Sequence, residues 1–332
     1  MAARGGIDLG GTKIQAVVVD AASSPVGSAR GPTPESGGPR AVTAALAETL
    51  SEAAGKAGIE TSELAGVGVG SPGEVDAGSG TVAQARNLPD WKAAFPLARE
   101  LGDLVGTEVR IGNDVQVATD AEFALGAGKP YRSLLGVFWG TGVGGGIVLD
   151  GSPWLGRGAA GEIGHMVVKI GGARCTCGRR GCVEAYAGRG AMELTARRRH
   201  KRGKKTELFA IMERRGRTRL TSGVWAQALA DGDKMATKLI DRAVEALGAG
   251  IASAVNLLDI EAVVIGGGLG VRFGTEYVER IRVAMMPHVF VSERPPPVLL
   301  AGLGDLGGAI GAAMLVDAGE RVRARRRTAA VS

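Results

Sequence analysis

Residues 162–184 read EIGHMVVKIGGARCTCGRRGCVE. This stretch holds all three cysteines of the chain, Cys175, Cys177 and Cys182, and one of its three histidines, His165. Three thiolates and an imidazole form a closed tetrahedral donor set for Zn²⁺. Gly178 and Gly181 suit a tight loop that folds the sulfurs about one point. The competing reading is three buried, unlinked thiols, but their clustering within eight residues opposes it. A disulfide is disfavoured by the odd count. Glu162 and Glu184 flank the cluster, so a loop that gathers His165 also fixes two carboxylates. The second ring nitrogen of His165 is then free to meet a partner, here expected to be a hydroxyl-rich ligand that the metal orients without acting on it.

Working outward, the 332 residues suffice for two domains with real cores. Hydrophobic residues make up 45% and glycines number 55, the profile of a turn-rich α/β protein. No apolar run is long enough to cross a membrane, and the opening MAARGGIDLGG lacks a signal-peptide core. A cytoplasmic protein is expected. The net charge of +6 is unevenly spread. Residues 197–219 carry eleven Lys/Arg and residues 321–327 five Arg; the remainder has 24 basic and 32 acidic residues. Neither basic stretch interleaves aromatics with its charges. A solvated or partly disordered surface is expected there in preference to nucleic-acid binding.

Three glycine turns punctuate the chain. Residues 5–20, GGIDLGGTKIQAVVVD, read as strand, turn and strand. Gly10, Gly11 and Thr12 expose N–H groups to an anion, Lys13 adds charge, and Asp8 is placed to hold Mg²⁺ through water; an ordinary hairpin is the alternative. Residues 133–150, SLLGVFWGTGVGGGIVLD, repeat that logic around Gly140, Thr141, Gly142, Gly144 and Gly145. A GxGxxG dinucleotide site is the rival, but it wants a helix where Ile147–Leu149 continues as strand. Gly266–Gly270 forms the third turn, with Gly267 and Gly268 suited to close approach of a nucleoside or to a plain strand-to-helix turn.

Between these, residues 21–38 read as loop and 39–57 as helix. Ala65–Gly70 reads as a strand ending in a Ser71-Pro72-Gly73 turn, then a long loop to Asn87 and Trp91. Glu108–Gly112 is a strand, and Asn113-Asp114 sits at its carboxyl end before a helix over Val115–Leu125. Two readings of that pair stand level: a helix cap, or a general base, Asp114, with Asn113 on a substrate hydroxyl. Ser222 is expected to cap a helix through Ala230, followed by a long helix over Lys234–Leu257, a strand at Glu261–Ile265, a strand at Val298–Leu300 and a final helix at Leu306–Val316.

This constellation resembles the ROK family of repressors and sugar kinases, its bacterial glucokinases above all. The family signature is similar to Glu162-x-Gly164-His165 followed by Cys175-x-Cys177-Gly178-x-x-Gly181-Cys182-x-Glu184. The resemblance spans about residues 5–317. It implies the two-domain, actin-like/hexokinase-like (ribonuclease H-like) ATPase fold with an interdomain cleft. The small α/β domain would take residues 1–117, completed by a helix at 304–318. The large one would take 118–303, including zinc loop 162–184 and basic insert 197–219, with an unstructured tail at 319–332. By the same resemblance, ATP lies between the turns that hold Asp8 to Lys13 and Gly140 to Gly145, near Gly267 and Gly268. Sugar hydroxyls meet Asn87, Asn113, Asp114, Glu162, His165 and Glu184.

The implied activity is transfer of the γ-phosphoryl of ATP, with Mg²⁺, to the 6-hydroxyl of glucose or a related hexose, Asp114 serving as general base. Other hexoses and N-acetylhexosamines are the rival acceptors, and polyphosphate the rival donor. The family implies a homodimer or homotetramer. Its repressors carry a helix-turn-helix ahead of the first phosphate strand, which here starts by about residue 6, so a regulator or a non-catalytic zinc protein is the lesser expectation. Glu74 departs from the small or apolar residue common at its position in the family, and the 197–219 segment matches none of its motifs.

Overall fold

The structure is a computed structural model that describes residues 3–85 and 87–317. The chain divides into two units, one holding residues up to Leu125 and again from Leu306, the other Gly126–Asp305. The break comes after a helix that starts at Asp114, so a boundary at residue 117 would have cut that helix.

The first unit starts with β1 (Arg4–Leu9), β2 (Lys13–Val19) and β3 (Pro25–Pro32), then α1 (Gly38–Ala57), β4 (Val67–Ser71), β5 (Glu74–Asp76) and β6 (Thr81–Ala83). It continues with α2 (Leu97–Val105), β7 (Val109–Asn113) and α3 (Asp114–Ala124). The main sheet runs β3-β2-β1-β4-β7: an antiparallel meander through β3, β2 and β1, then parallel pairing of β1, β4 and β7. Alternation along β2 sorts the two faces. Ile14, Ala16 and Val18 join the core under α1, where Val42, Leu46 and Leu50 recur at helical spacing. Val17 and Val19 face the other way, onto Ala309, Ile310 and Ala313. Those residues belong to the closing helix, described over 307–317. It lies so close that a Cβ at Gly6 or Gly68 would overlap the carbonyl oxygens of Ala309 and Ala312.

Two segments expected as loop are strands. Residues 25–32 form β3, which has a single neighbour. Its prolines, Pro25 and Pro32, stand at its two ends, where an edge strand tolerates a missing N–H. The stretch after Gly73 holds the β5–β6 hairpin. Asp76 closes it by accepting from the N–H groups of Gly78 and Ser79, and Trp91 Nε1 donates to the Val82 carbonyl beside it.

The second unit holds β8 (Leu134–Trp139), β9 (Val143–Leu149) and β10 (Ser152–Pro153), then the cysteine segment and α4 (Glu184–Ala187). There follow α5 (Arg189–Lys201), α6 (Leu208–Arg214), α7 (Ser222–Ala230), α8 (Lys234–Leu258), β11 (Ala262–Gly266), α9 (Gly267–Met285) and β12 (Val298–Leu300). Its sheet runs β10-β9-β8-β11-β12, again an antiparallel meander leading into parallel strands. The amphipathic α8, capped by Asp233 through the N–H groups of Met235 and Ala236, packs with α9 over this sheet. Ser222 is the first helical residue of α7 instead of its cap, which is Thr221 without a side-chain bond.

The basic insert keeps the solvated surface that was one of its two expected readings, but α5 and α6 run through it in place of partial disorder. Leu208, Ile211, Met212 and Leu220 are buried in the main core of this unit. Arg197 lies over the Phe209 ring, and Asp233 accepts from the Glu207 N–H, tying the insert to the start of α8. Apolar residues at helical spacing anchor it from beneath while its charges face water. Residues 319–332 lie outside the described residues. Among the described residues no helix is long and apolar enough to cross a membrane. The architecture is the mixed-sheet α/β fold the resemblance implies.

Candidate functional site

The cysteine loop is a short hairpin built on local hydrogen bonds. Cys175 N–H donates to the Arg179 carbonyl at 2.8 Å, Gly178 N–H to Cys175 at 3.1 Å, and Gly181 N–H to Ala173 at 2.8 Å. Gly178 and Gly181 take φ of +92° and +84°, left-handed values that an L side chain resists. At Gly181 a Cβ would also overlap the Lys169 carbonyl oxygen. The loop so formed brings one donor atom each from His165, Cys175, Cys177 and Cys182 within 4.8 Å of one another. All three cysteines are unlinked.

The separations fit a metal. Thiolates bound at about 2.3 Å around a tetrahedral Zn²⁺ stand about 3.8 Å apart along each edge. Cys177 Sγ and Cys182 Sγ are 3.8 Å apart, as are Cys175 Sγ and His165 Nδ1. Burial pushes the Cys175 thiol up to about 12. Cys182 is raised by burial and then by Cys177. Burial also works against ionised Cys177, but the Arg179 N–H and the neighbouring thiols outweigh it and lower its pKa. A divalent cation would replace these shared protons.

His165 aims Nδ1 at the sulfurs and Nε2 toward Glu162, whose Oε2 is 3.9 Å away. That gap is too long for a direct hydrogen bond. Glu162 is more than half exposed and His165 about a third. The turn Ile163–His165 that carries them rests on β9, since a Cβ at Gly164 would overlap the Val143 carbonyl. Glu184 bridges loop and sheet: Oε1 accepts from Thr176 Oγ1 at 3.0 Å, and Oε2 from the Val143 N–H at 3.0 Å. Trp139 Nε1 donates to the Ala187 carbonyl at 2.7 Å, fastening α4 to β8.

The second and third glycine turns are neighbours. Gly266 pairs with Phe138 across parallel β11 and β8, and a Cβ at Gly140 would lie 3.9 Å from the Gly268 N. α9 opens at Gly267 with no side-chain cap and is interrupted at Gly274, whose φ of +68° is not helical, so only the short stretch before Gly274 lies beside the turn. Gly144 and Gly145 sit within β9, paired with Phe138 and Val137. A Cβ at Gly145 would come within 2.7 Å of the Gly161 carbonyl oxygen. The smallness of Gly145 admits the segment that leads into the His165 turn, and the glycine turn proper is Gly140–Gly142.

In the first unit, the strand ends gather the remaining candidates. Asp8 pairs with Gly70, Gly70 with Gly112, and Ser71 with Asn113. Asp8 and Asp114 thus stand at the carboxyl ends of β1 and β7, two strands apart, which is about 10 Å. Asn113 caps α3, accepting from the Gln116 N–H at 3.1 Å. Its amide nitrogen is not used by that cap. Asp114 Oδ1 accepts from the Val115 N–H at 2.9 Å. Gly10 N–H donates to the Lys13 carbonyl in a tight hairpin, and a Cβ at Gly11 would lie 3.1 Å from Asn87 Nδ2. Asn87 therefore adjoins the first turn. Glu74 is exposed on β5.

One residue escaped the sequence reading. Arg189, the first residue of α5, donates from Nη2 to Thr141 Oγ1 at 2.7 Å. The two are 48 residues apart, and no motif links them.

Comparison with known proteins gives a consistent pattern. The ROK family profile matches residues 4–318. Glucokinase of Thermotoga maritima is 31% identical over 313 residues, 94% of this chain and 96% of that protein. N-acetylgalactosamine kinase of a Shewanella species is 33% identical over 327 residues, 95% and 97% of the two chains. The crystal structure of a ROK family glucokinase from Streptomyces griseus, in complex with glucose and AMPPNP, superposes with a TM-score of 0.81 at 31% identity, covering 94% of this chain and 98% of that one.

Proposed function

Because this chain belongs to the ROK family, we propose that it is a sugar kinase that transfers the γ-phosphoryl of ATP to the 6-hydroxyl of a hexose, glucose first. The observation that carries the reading is the pair of carboxylates, Asp8 and Asp114, at the carboxyl ends of parallel strands beside the Gly10–Gly11 turn. Ligands of α/β sheets collect at such strand ends.

Asp114 accepts the proton of the 6-hydroxyl as its oxygen bonds to the γ-phosphorus. The bond from that phosphorus to the β–γ bridging oxygen breaks, and ADP leaves. Such a transfer rests on alignment and charge stabilisation. The N–H groups of Gly11 and Thr12 in the first turn and of Thr141 and Gly142 in the second supply donors for the phosphates. Asp8 is suited to hold Mg²⁺ through water, which would offset phosphate charge. His165, Cys175, Cys177 and Cys182 are suited to Zn²⁺, which would stiffen the loop. With Nδ1 committed there, Nε2 carries a proton and donates it to a sugar hydroxyl, while Glu162 accepts from that hydroxyl across the 3.9 Å gap. Asn87, Asn113 and Glu184 complete the hydroxyl contacts.

An N-acetylhexosamine is the second acceptor reading, supported by the likeness to N-acetylgalactosamine kinase. ADP release measured over a panel of hexoses and N-acetylhexosamines, with ATP, GTP and polyphosphate as donors, decides between them. Glucose with ATP is expected to give the highest kcat/KM. No turnover with any pair would end the kinase reading.

A further inference from the structure

Arg189 is a cation in want of an anion. Its N–H donates to the Gly140 carbonyl at 3.1 Å, and the Gly190 N–H donates to the Thr141 carbonyl at 3.0 Å, so the start of α5 is stitched to the second glycine turn. The guanidinium is half-buried. Burial lowers its pKa most, and nearby Arg219 lowers it further. Glu193 acts in the opposite sense, but its carboxylate is already occupied. Oε1 accepts from Arg197 Nε and Nη2 at 3.0 and 2.8 Å; Oε2 accepts from Arg219 Nε at 3.2 Å and the Leu220 N–H at 3.1 Å. Arg189 forms no ion pair among the described residues, and its side-chain bond goes to a neutral hydroxyl. A guanidinium has five N–H donors, so most of its capacity is unused.

The turn it leans on is similarly open. Gly140 N–H is spent on the Gly142 carbonyl and Val143 N–H on Glu184. The N–H groups of Thr141 and Gly142 have no partner among the described residues. A partly desolvated arginine and two N–H groups without a partner among the described residues meet at one turn, a donor set that matches a phosphate.

We propose that Arg189 is a phosphate-binding residue of the nucleotide site, held against the Gly140–Gly142 turn by the Thr141 hydroxyl and engaging a phosphate of the bound nucleotide. The proposal rests on the kinase reading. It adds a side-chain cation to a turn otherwise read as backbone donors.

The test is equilibrium titration of the full chain with ATP, ADP and adenosine, without sugar, for the parent, Arg189→Met, Arg189→Lys and Thr141→Val. Arg189→Met should weaken ATP and ADP about 10- to 100-fold, the loss of a charge-assisted bidentate contact. Adenosine binding and the KM of the sugar should stay within about twofold. Arg189→Lys should recover part of the loss, and Thr141→Val should show a smaller one. Unchanged ATP affinity in Arg189→Met, in a parent that binds ATP, overturns the proposal and leaves the kinase reading standing. Equal losses for adenosine and ATP assign Arg189 a structural part and overturn it too. A parent that binds no ATP removes both.

Discussion

The two units share one sheet plan and differ in what they hang on it. Each starts with an antiparallel hairpin closed by glycines, at Gly10–Gly11 and Gly140–Gly142, adds an edge strand by a second hairpin, and then extends on the other side through parallel strands. In the first unit the parallel strand ends carry acids and amides, Asp8, Asn113 and Asp114. In the second, β11 ends in bare glycines, and the polar groups arrive from an excursion after β9, where the cysteine loop delivers His165 and Glu184 and α5 delivers Arg189. Under the proposed kinase reading, the repeated scaffold would supply two anion-facing turns, with proton handling assigned to the first unit and much of the hydroxyl and phosphate recognition to the second. Division of this kind follows when function is grafted onto strand ends instead of being written into the sheet.

That division can be tested from both sides. Asp114→Asn should keep hexose binding while kcat falls at least about 100-fold; near-normal turnover would remove the first unit from proton transfer. Stripping metal with a chelator, or Cys177→Ser, should raise the sugar KM about 10- to 100-fold, the scale of lost orientation around a metal site, with the KM of ATP changed far less. Sugar affinity indifferent to a verified loss of bound zinc would detach the loop from recognition. Gly68→Ala should cost about 2 kcal/mol of stability, since the added methyl collides with the Ala312 carbonyl; an unchanged denaturant midpoint would show the closing helix can yield.

The smallest effect concerns Asp120 on α3. Burial raises its pKa to about 7, against a lowering bond from Gln116. The native state therefore holds a proton that the unfolded chain releases near pH 4. The sign follows: the stabilisation is full below about pH 4 and fades as pH rises toward 7. Asp120→Asn should stabilise the protein by about 1 kcal/mol at pH 8 and by less at pH 5. Equal gains at both pH values would mean Asp120 is ionised in the native state throughout.

What was legible in the sequence was whatever local order encodes. Cysteine spacing carries the donor set because the loop is built from its own turns. The strand-turn-strand pattern of residues 5–20 and 133–150 carries both hairpins. Residues 25–32 hid as loop because prolines mark ends as well as interruptions, and only pairing distinguishes an edge strand. The insert hid because eleven charges dominate its composition, while Leu208, Ile211 and Met212 suffice to anchor it. Arg189 could not be found at all, since its partner lies in another element and burial gives the contact its meaning.

The closing helix has a further consequence, in time. Gly6 and Gly68 accept a partner that the ribosome makes only after the whole of Gly126–Asp305 has emerged. At about 5–20 residues per second, that is a wait of roughly 10–40 s. The unit whose synthesis starts first is thus the one that finishes folding last, its Val17 and Val19 face bare to chaperones or to its own neighbours in the interval.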